Sequence, residues 1–421
     1  MRRADTVSHR RLKPRDEFPQ FLARAYSGQR TLRFAAHLPS FGWQPTVLTA
    51  HSRAYERTSQ DLMSEVGPDV AVERAFAVDT RRHLSAFGRY PWWLASPDRW
   101  MSWRWGAALS GGRLIRARRP DVLWSTYPIA TAHVIGADLH RRFGIPWVAD
   151  FRDPMAQDGY PADPRIWSAF KSIEQHTVGA ARWSVFTTPG AARVYENRYP
   201  RFAPNIRVLP NGYDEASFAA LEGVTCEPLT PGATTLLHSG VVYPSERDPT
   251  CLFEALERLV SAGKFGQGRL KVRFRASGND AMLNELARRH RLQSVVEVLA
   301  PTEYRHALAE MLRADGLLIL QAANCNEQIP AKLYEYLRSR RPILALTDPS
   351  GDTAGAVRSV GIGTIARLDS TDDIAVALHE FVEAIEQGRA VLPETSAVAR
   401  LERREQARDL ASLLEDARLS P

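Results

Sequence analysis

The sequence predicts an α/β fold built on two parallel sheets. Short strand-like runs alternate with helix-like runs almost throughout the chain, which is the order expected of parallel sheets. Small or polar residues follow the strands in both halves, as expected where a ligand binds beyond the carboxyl ends of parallel strands. The 421 residues are too many for one ordinary core, so we expect two domains, with three as the alternative.

The elements are predicted in order, with short apolar runs as strands and longer runs with one apolar side as helices. In the first half, strands are predicted at 46–50, 70–74, 121–124, 146–149, 183–186 and 206–209, and helices at 29–41, 103–118, 129–143, 167–178 and 191–198. In the second half, strands are predicted at 234–238, 270–275, 295–299, 316–320, 342–345 and 363–366, and helices at 249–261, 281–290, 303–314, 331–338 and 372–387. A charged helix at about 396–414 follows the last strand.

The break between the halves lies around 215–231, a segment rich in small, acidic and turn residues. It predicts a first domain at 1–214, a linker at 215–232, a second domain at 233–395 and a C-terminal helical segment at 396–421.

Charge and cysteine usage narrow the class of protein. The net charge is +7, but the arginine clusters are scattered and build no single basic stripe, so no nucleic-acid partner is expected. Cys226, Cys251 and Cys325 are odd in number and far apart, which predicts neither a disulfide framework nor a metal site and is typical of a reducing, cytoplasmic compartment. No apolar stretch is long enough to span a bilayer, and the N-terminus lacks the apolar core of a signal peptide.

The tryptophan-rich segment at 92–105 has three interpretations. It carries five tryptophans together with Arg99 and Arg104. Such a segment suits contact with a membrane interface, where the basic chain would meet anionic lipid headgroups. It equally suits an aromatic part of the core or an acceptor pocket.

The segment EQIPAKLYEYLRSRRP, 327–342, is the most informative in the chain. It follows the apolar run 316–320, a predicted buried strand, and Pro330 is expected at the first position of the next helix. A helix that starts after a strand and a polar loop directs backbone N–H groups at an anion, most often phosphate. Glu327 and Glu335 flank that helix start with seven residues between them. The arrangement suits a ligand with both hydroxyl and phosphate groups, such as a nucleotide-sugar.

Lys332 supports an anion site at this helix start. It falls in the first turn, where the helix dipole disfavours a cation, and it fits there if its ammonium meets an anion that the backbone also holds. The alternatives are a solvated surface lysine and, for Glu335, an exposed pair with Arg338.

Residues at the predicted strand ends resemble the GT-B glycosyltransferases, specifically the retaining, family-4-like group. The resemblance covers most of the chain after about residue 27. Its order and spacing indicate the fold and the group, but not the sugar. Its pieces are GQRTLRF at 28–34, LP at 38–39, GWQPTVLT at 42–49, STYP at 125–128, His133, PWVADFRDP at 146–154, PNGYD at 210–214, HSG at 238–240, RDP at 247–249 and the Glu327…Glu335 segment.

The resemblance implies two Rossmann-like domains facing across a cleft, with the acceptor on the N-terminal domain and the nucleotide-sugar donor on the C-terminal one. The terminal helix would cross back onto the first domain. By the same resemblance, Glu327 lies near the donor sugar, Glu335 binds the ribose, and Arg247 and Lys332 meet the donor phosphates. The remaining predicted donor-binding residues are Gly240, Ala331, Gln328 and Ser277, and the predicted acceptor-side residues are Gly28, Arg30, Asp150 and Arg152.

The chemistry that this resemblance implies needs neither a metal nor a resident cofactor. The leaving nucleoside diphosphate would be stabilised by Arg247, Lys332 and the helix start at Ala331. Retention of the anomeric configuration would follow from front-side attack without a carboxylate nucleophile.

Three further side chains keep two interpretations each. Asp150 and Asp153 would orient an acceptor hydroxyl or Arg152, or Asp153 would only cap a turn before Pro154. A metal pair is not expected there, because Arg152 separates the two carboxylates. His133 matches a family position near the donor sugar, but it equally suits a core histidine of a helix.

The N-terminus departs from the family pattern. Residues 1–17 are charged and contain no predicted strand, and 18–28 holds a single glycine where the family has an apolar strand and a glycine-rich loop. The missing strand should lie at the centre of the sheet, so another segment fills the gap, or the reading frame starts wrongly, or the domain is weakened. The departure bears on catalytic competence more than on donor binding.

Three functions are therefore compared. The first is transfer of a sugar to a glycan or lipid-linked acceptor in bacterial surface polysaccharide assembly, in the cytoplasm or peripherally at the inner face of the plasma membrane. The second is a catalytically impaired nucleotide-sugar-binding scaffold, and the third a GT-B nucleotide-sugar epimerase. An oxidoreductase that uses a dinucleotide is disfavoured, because no Gly-x-Gly-x-x-Gly follows a strand.

Overall fold

The structure is a computed structural model that describes residues 17–20, 25–55, 70–85, 89–221, 223, 227–265 and 268–419. It divides into two compact units. Unit 1 comprises Met1–Phe186, Val194–Leu209 and Ala407–Pro421, and unit 2 comprises Thr187–Arg193 and Pro210–Gln406.

Unit 1 is built on a seven-stranded parallel sheet with the strand order β3-β2-β1-β4-β5-β6-β7. The strands are β1 Glu17–Gln20, β2 Gln44–Ala50, β3 Ala71–Ala75, β4 Leu123–Thr126, β5 Trp147–Arg152, β6 Trp183–Phe186 and β7 Ile206–Val208. The α-helices among the first 205 residues are α1 Ala25–His37, α2 Thr80–His83, α3 Trp103–Arg118, α4 Ala130–Phe143, α5 Pro164–Ala180 and α6 Pro189–Arg198, the last of which begins in unit 2. Short 3-10 helices cover Leu38–Phe41, Ser52–Ala54, Trp92–Ala95 and Pro200–Asn205.

The prediction that the N-terminal strand is missing is wrong. β1 lies between β2 and β4, where Phe18 is in register with Pro45 and Gln20 with Trp124. The strand was missed because it has only four residues, and because Pro19, which has no N–H to donate, argues against a central strand. Residues 1–16 and 21–24, which complete the atypical N-terminal segment, lie outside the described residues.

Unit 2 is built on a six-stranded parallel sheet with the strand order β10-β9-β8-β11-β12-β13. The strands are β8 Thr234–Ser239, β9 Leu270–Arg275, β10 Val296–Leu299, β11 Gly316–Gln321, β12 Ile343–Thr347 and β13 Ile365–Ala366. The helices are α7 Glu215–Ala219, α8 Thr250–Ser261, α9 Asp280–Arg289, α10 Tyr304–Arg313, α11 Lys332–Ser339, α12 Asp352–Arg358, α13 Thr371–Glu386 and α14 Thr395–Ala399. A 3-10 helix covers Ala323–Cys325.

The central strands of unit 2 are buried on both faces, which is why they are almost continuously apolar in sequence. Leu318, Leu344 and Phe253 belong to the core on one face of the sheet, and Ile319 and Leu333 to the core on the other. The predicted linker at 215–232 differs from the structure, because it begins with α7, whose Phe218 packs into the second of these cores.

The predicted helix at 396–414 is wrong in its continuity. The structure divides it into α14 and a last helix, α15, at Arg403–Leu419. The interruption is caused by Tyr213, whose backbone N–H donates to Leu401 O at 3.1 Å and whose carbonyl accepts from Arg403 N at 2.9 Å. Beyond that point, Leu410 and Leu414 of α15 pack with Phe34 in the core of unit 1.

None of the helices in the described part of the chain combines the length and the apolar composition needed to cross a bilayer. Cys251 and Cys325 are free thiols, and Cys226 lies outside the described residues.

Candidate functional site

The start of α11 lies one residue later than predicted. Ala331 is the N-cap residue and Lys332 the first helical residue, so Pro330 precedes the helix and does not begin it. The Pro330 carbonyl nevertheless accepts from Leu333 N at 2.9 Å, which makes the first turn tight. Among the described residues, nothing accepts a hydrogen bond from the N–H groups of Ala331 and Lys332. Two donors therefore remain for a ligand at the helix start, as in other anion-binding helices.

The side chain of Lys332 is directed at a buried histidine. Its Nζ lies 3.0 Å from Nε2 of His238, which follows Leu237 near the end of β8. The other ring nitrogen of His238, Nδ1, lies 3.0 Å from the carbonyl oxygen of Leu318. A carbonyl only accepts, so Nδ1 carries the proton and Nε2 accepts from the lysine. His238 is therefore a neutral imidazole that fixes the position of the ammonium.

Burial and neighbouring positive charge act together on this pair. Burial, followed by the charge on Arg247, holds the pKa of Lys332 well below its ordinary value. Burial, followed by the charge on Lys332, likewise holds the pKa of His238 well below its usual range. A cation that is destabilised in this way gains from an arriving anion, which restores the charged form. Perturbed groups of this kind are typical of a site that binds an anion.

Gly240 lets the backbone approach this ammonium. Its φ of +127° is one that residues with a side chain rarely adopt, and a Cβ built there would lie 2.7 Å from Nζ of Lys332. The loop after β8 and the start of α11 therefore meet at one point. Only glycine satisfies both the backbone conformation and the contact.

Arg247 is the second cation of the site. Its Nη1 donates to the carbonyl of Val241 at 2.8 Å, and its guanidinium lies 5.3 Å from the ring centroid of Tyr243. Its Nε lies 3.5 Å from Oε1 of Gln321 at the end of β11. The first contact ties Arg247 to the loop that contains Gly240, so the two cations approach the helix start from different elements.

Glu335 faces a tyrosine. Its Oε1 accepts from the hydroxyl of Tyr304 at 2.7 Å, and burial raises its pKa. The alternative pairing with Arg338 is wrong, because Arg338 pairs with Glu215, with Nε 2.6 Å from Oε2. A single bond from Tyr304 leaves Oε2 of Glu335 for a ligand hydroxyl.

Two threonine hydroxyls from other segments hold the backbone of the loop before α11. The carbonyl of Glu327 accepts from Thr188 Oγ1 at 2.5 Å, and the carbonyl of Gln328 accepts from Thr353 Oγ1 at 3.0 Å. The side chain of Glu327 is exposed, and none of the described residues hydrogen-bonds to its carboxylate. A fixed backbone with a free carboxylate suits contact with a ligand.

Ser277 uses its polar groups inside the protein. Its hydroxyl donates to Asp280 and accepts from Asn279 N at 3.2 Å, while its carbonyl accepts from Val242 N at 2.9 Å. The last of these bonds joins the loop after β9 to the loop after β8. Its predicted contact with a donor stays a prediction.

The predicted acceptor-side residues cluster within unit 1. Arg30, on α1, donates from Nε to Oδ2 of Asp150 at 3.1 Å and from Nη2 to the carbonyl of Leu209 at 2.8 Å. Thr126 also donates to Asp150 Oδ2, at 2.9 Å. The Arg30 and Asp150 side chains are almost fully buried, so their polar atoms hold α1 against the sheet. Gly28 lies in the same helix, two residues before Arg30.

Arg152 and Asp153 follow Asp150 at a distorted strand end. The register of β5 against β6 shifts between Asp150 and Arg152, and Arg152 has a φ of +65°. Burial lowers the pKa of Arg152 and raises that of Asp153. Groups with a shifted pKa at a strained strand end are candidates for function. The acceptor-side role of Arg152 and Asp153 stays a prediction.

His133 lies in the core of unit 1. Its ring is fully buried, its Nδ1 lies 2.8 Å from Ser125 Oγ, and its ring centroid lies 4.8 Å from that of Phe151. Burial lowers its pKa to about 3. These contacts agree with the core-histidine interpretation that the sequence left open, and the contact of His133 with a donor sugar stays a prediction.

Three residues of the donor-side cluster were not assigned from the sequence. They are His238, Tyr304 and Tyr336, whose hydroxyl accepts from Ser239 N at 2.7 Å. The available signal was a histidine two residues before Gly240 at a strand end. Tyr304 gave none, since its contact with Glu335 joins residues 31 positions apart.

Comparisons with known proteins support the fold. Residues 27–212 match the family described as a glycosyl transferase 4-like domain. The chain is similar to HepE from Anabaena, which was solved in complex with UDP and glucose. The match spans 95% of this chain and 100% of HepE, with 12% identity and a TM-score of 0.66. The fold is that of the GT-B glycosyltransferases. The predicted fold and the family-4-like resemblance of the N-terminal half are thus confirmed.

Two other solved structures are similar to the chain at the level of the fold. An α,α-trehalose-phosphate synthase (UDP-forming) from Burkholderia vietnamiensis covers 96% of this chain and 99% of its own, with 13% identity and a TM-score of 0.66. The match with a sucrose-phosphate synthase from Thermosynechococcus elongatus spans 96% of this chain and 99% of the synthase, with 12% identity and a TM-score of 0.62. No curated protein sequence matches the chain.

Proposed function

We propose that this GT-B protein is a glycosyltransferase that moves a sugar from a nucleoside-diphosphate-sugar to a glycan or lipid-linked acceptor. Unit 2 would bind the donor and unit 1 the acceptor, with a setting in the bacterial cytoplasm and in surface polysaccharide assembly. The observation that carries the proposal is the meeting of Lys332, Gly240 and Arg247 at the start of α11. The structural neighbour HepE binds UDP and UDP-glucose, which makes these the first donors to test.

The proposed reaction retains configuration and uses no metal. The acceptor hydroxyl attacks the anomeric carbon on the face from which the diphosphate departs. The bond between that carbon and the phosphate oxygen breaks, and the hydroxyl proton passes to the departing oxygen. The negative charge that develops would be stabilised by Lys332, Arg247 and the two N–H groups at the start of α11.

The two glutamates would hold the donor at its other polar groups. Glu335, with Oε1 fixed by Tyr304, would accept from a ribose hydroxyl through Oε2. Glu327 would contact the sugar through its exposed carboxylate, while Gln328 and Ala331 contribute the loop backbone. On the acceptor side we assign Arg152 and Asp153 to contact with the acceptor, and Arg30 and Asp150 to positioning β5.

A thermal-shift experiment with UDP and UDP-glucose tests donor binding. We expect both ligands to raise the melting temperature of the wild-type chain, and Lys332→Ala to remove the shift, because a charge-assisted hydrogen bond contributes about 1.5–3 kcal/mol. Glu335→Ala should weaken nucleotide binding in the same way. Lys264→Ala, at an exposed lysine of unit 2, is the matched control and should keep the shift. A shift that survives both site variants would contradict the assignment.

Turnover separates transfer from the alternatives. Release of UDP from UDP-glucose supports transfer or its hydrolytic side reaction. Binding without release would favour the scaffold, for which the internal use of Arg30 and Asp150 is the supporting observation. An isomerised sugar still attached to its nucleotide would identify an epimerase.

A further inference from the structure

Unit 1 exposes a group of large aromatic side chains between the end of β3 and the middle of α3. Trp92, Trp93 and Trp105 expose 52%, 58% and 56% of their surface, and Leu109 exposes 65%. Exposed tryptophans in such number are unusual on a protein surface that has no partner. We call the following set the aromatic–arginine surface: Phe76, Leu84, Tyr90, Trp92, Trp93, Trp105 and Leu109, with Arg81, Arg82, Arg89 and Arg113.

The backbone beneath this surface is fixed by buried polar contacts. Val78 N donates to Ser102 Oγ at 2.9 Å, and Ser102 Oγ donates back to the Val78 carbonyl at 2.9 Å. Thr80 Oγ1 donates to the carbonyl of Leu94 at 2.7 Å, which joins α2 to the 3-10 helix that carries Trp92 and Trp93. The exposed rings are therefore presented on a folded scaffold.

α3 contributes an ordered stripe to the surface. Trp105, Leu109, Arg113 and Arg116 are exposed and follow one another at intervals of four, four and three residues, so they share one face of the helix. The buried residues Trp103, Ala107 and Gly111 lie on the opposite side of the helix. One end of the stripe is apolar and the other is basic.

The charge of this segment is mostly positive. Between residues 71 and 119 the sequence has ten arginines and three acidic residues. Asp79 is fully buried and pairs with Arg99 at 3.3 Å, and Asp98 accepts from the backbone N–H and the hydroxyl of Thr131. Glu73 remains as the exposed acid of this segment. The surface is therefore complementary to an anionic partner.

We propose that the aromatic–arginine surface docks on an anionic lipid bilayer. Tryptophan and tyrosine favour the headgroup region, where an apolar ring and a polar tip are both satisfied, and arginines on the same surface pair with lipid phosphates. Arg165, whose guanidinium lies 5.7 Å from the ring centroid of Trp92, combines the two contacts at one place. This inference does not depend on sugar transfer, because it involves no residue of the donor site.

Co-sedimentation of the full chain with vesicles tests the proposal. We expect binding to vesicles of phosphatidylcholine and phosphatidylglycerol in equal amounts, and much weaker binding to phosphatidylcholine alone. The double variant Arg81→Ala/Arg89→Ala should bind anionic vesicles more than tenfold more weakly, at about fivefold for each arginine. Trp92→Ser/Trp93→Ser should lose binding to a similar extent, and added salt should weaken the wild type.

Controls separate docking from folding and from donor binding. Arg289→Ala and Val376→Ser, at exposed positions of unit 2, should bind vesicles like the wild type. Each surface variant should keep the wild-type melting temperature and the wild-type shift with UDP. If the tryptophan variant fails to fold, the arginine variant and the salt series still decide.

Three results with vesicles or with the chain alone would overturn the proposal, and a fourth concerns nucleic acid. The three are equal binding to neutral and anionic vesicles, no loss in either surface variant, and concentration-dependent self-association that the same variants abolish. The last of the three would mean that a second copy of the chain covers this surface. Binding to a DNA or RNA oligomer in the absence of vesicle binding would instead identify a nucleic-acid partner and would equally exclude a membrane.

Discussion

At the scale of single residues, the donor site depends on a histidine that never needs to touch the ligand. His238 accepts a hydrogen bond from the ammonium of Lys332 at Nε2 and donates one from Nδ1 to the Leu318 carbonyl. Because the ring is fully buried and fixed at both nitrogens, it holds the lysine beside Gly240 before any ligand arrives. We therefore regard His238 as a positioning residue.

Replacing His238 tests this role. His238→Leu should weaken UDP binding about tenfold, because Lys332 loses its acceptor, and should lower the free energy of unfolding by about 1–3 kcal/mol, because the Leu318 carbonyl loses its donor. Isothermal titration and chemical denaturation measure the two effects separately. His306→Leu, at an exposed histidine of unit 2, serves as the control. Unchanged UDP affinity in a folded His238→Leu chain would contradict the role.

The buried His133 makes a separate prediction about acid stability. Burial lowers its pKa from 6.5 to about 3. Between these two pH values the imidazole is protonated in the unfolded chain and neutral in the folded chain. Its contribution to stability is present above pH 6.5 and is lost as the pH falls from there towards 3, by up to about 1.4 kcal/mol per pH unit. Denaturation at several pH values should show a shallower acid loss for His133→Gln than for the wild type. Equal slopes would argue against this assignment.

At the scale of elements, the site is formed where the loop after β8 meets the first turn of α11. Gly240→Ala should abolish UDP binding, because the added methyl group would lie only 2.7 Å from Nζ of Lys332 and would force the ammonium to move. Gly361→Ala is the matched control, since Gly361 also has a positive φ, +83°, but nothing lies within 4 Å of the added atom. Both variants carry backbone strain, so only the first should lose the UDP-induced thermal shift. Loss of the shift in both would point to strain and not to the contact.

Most elements could be predicted from the sequence, and the exceptions have physical causes. β11 and β12 are continuous apolar runs because both of their faces are buried, so they are readily recognised. β1 is short and contains Pro19, and α12 contains a glycine and a threonine in seven residues, so neither has a clear pattern. The break between α14 and α15 depends on a tertiary contact with Tyr213, which no local pattern contains.

At the scale of the whole molecule, the sequence predicted the position of the candidate donor site better than it predicted the contacts within that site. The Glu327…Glu335 segment follows β11, and Gly240, Arg247 and Lys332 do converge in unit 2. The sequence could not show that His238 and Tyr304 support the two functional side chains, because the fold brings them together across 94 and 31 positions. It also could not show that Arg30 and Asp150 form a buried ion pair with each other.

The fold itself leaves the sugar and the acceptor open. The solved structures that share this fold at 12–13% identity include HepE and two sugar-phosphate synthases, so the fold supports several substrates. Specificity is therefore expected in the loops at the strand ends, around Glu327 in unit 2 and Arg152 in unit 1.

A crystal structure of the chain with the nucleoside diphosphate that raises its melting temperature most is the most direct test. We expect the diphosphate at the start of α11, within hydrogen-bonding distance of Nζ of Lys332 and of the backbone N–H groups of Ala331 and Lys332, with the ribose against Glu335. Density for the diphosphate at any other place on the protein, with the start of α11 empty, would contradict the account.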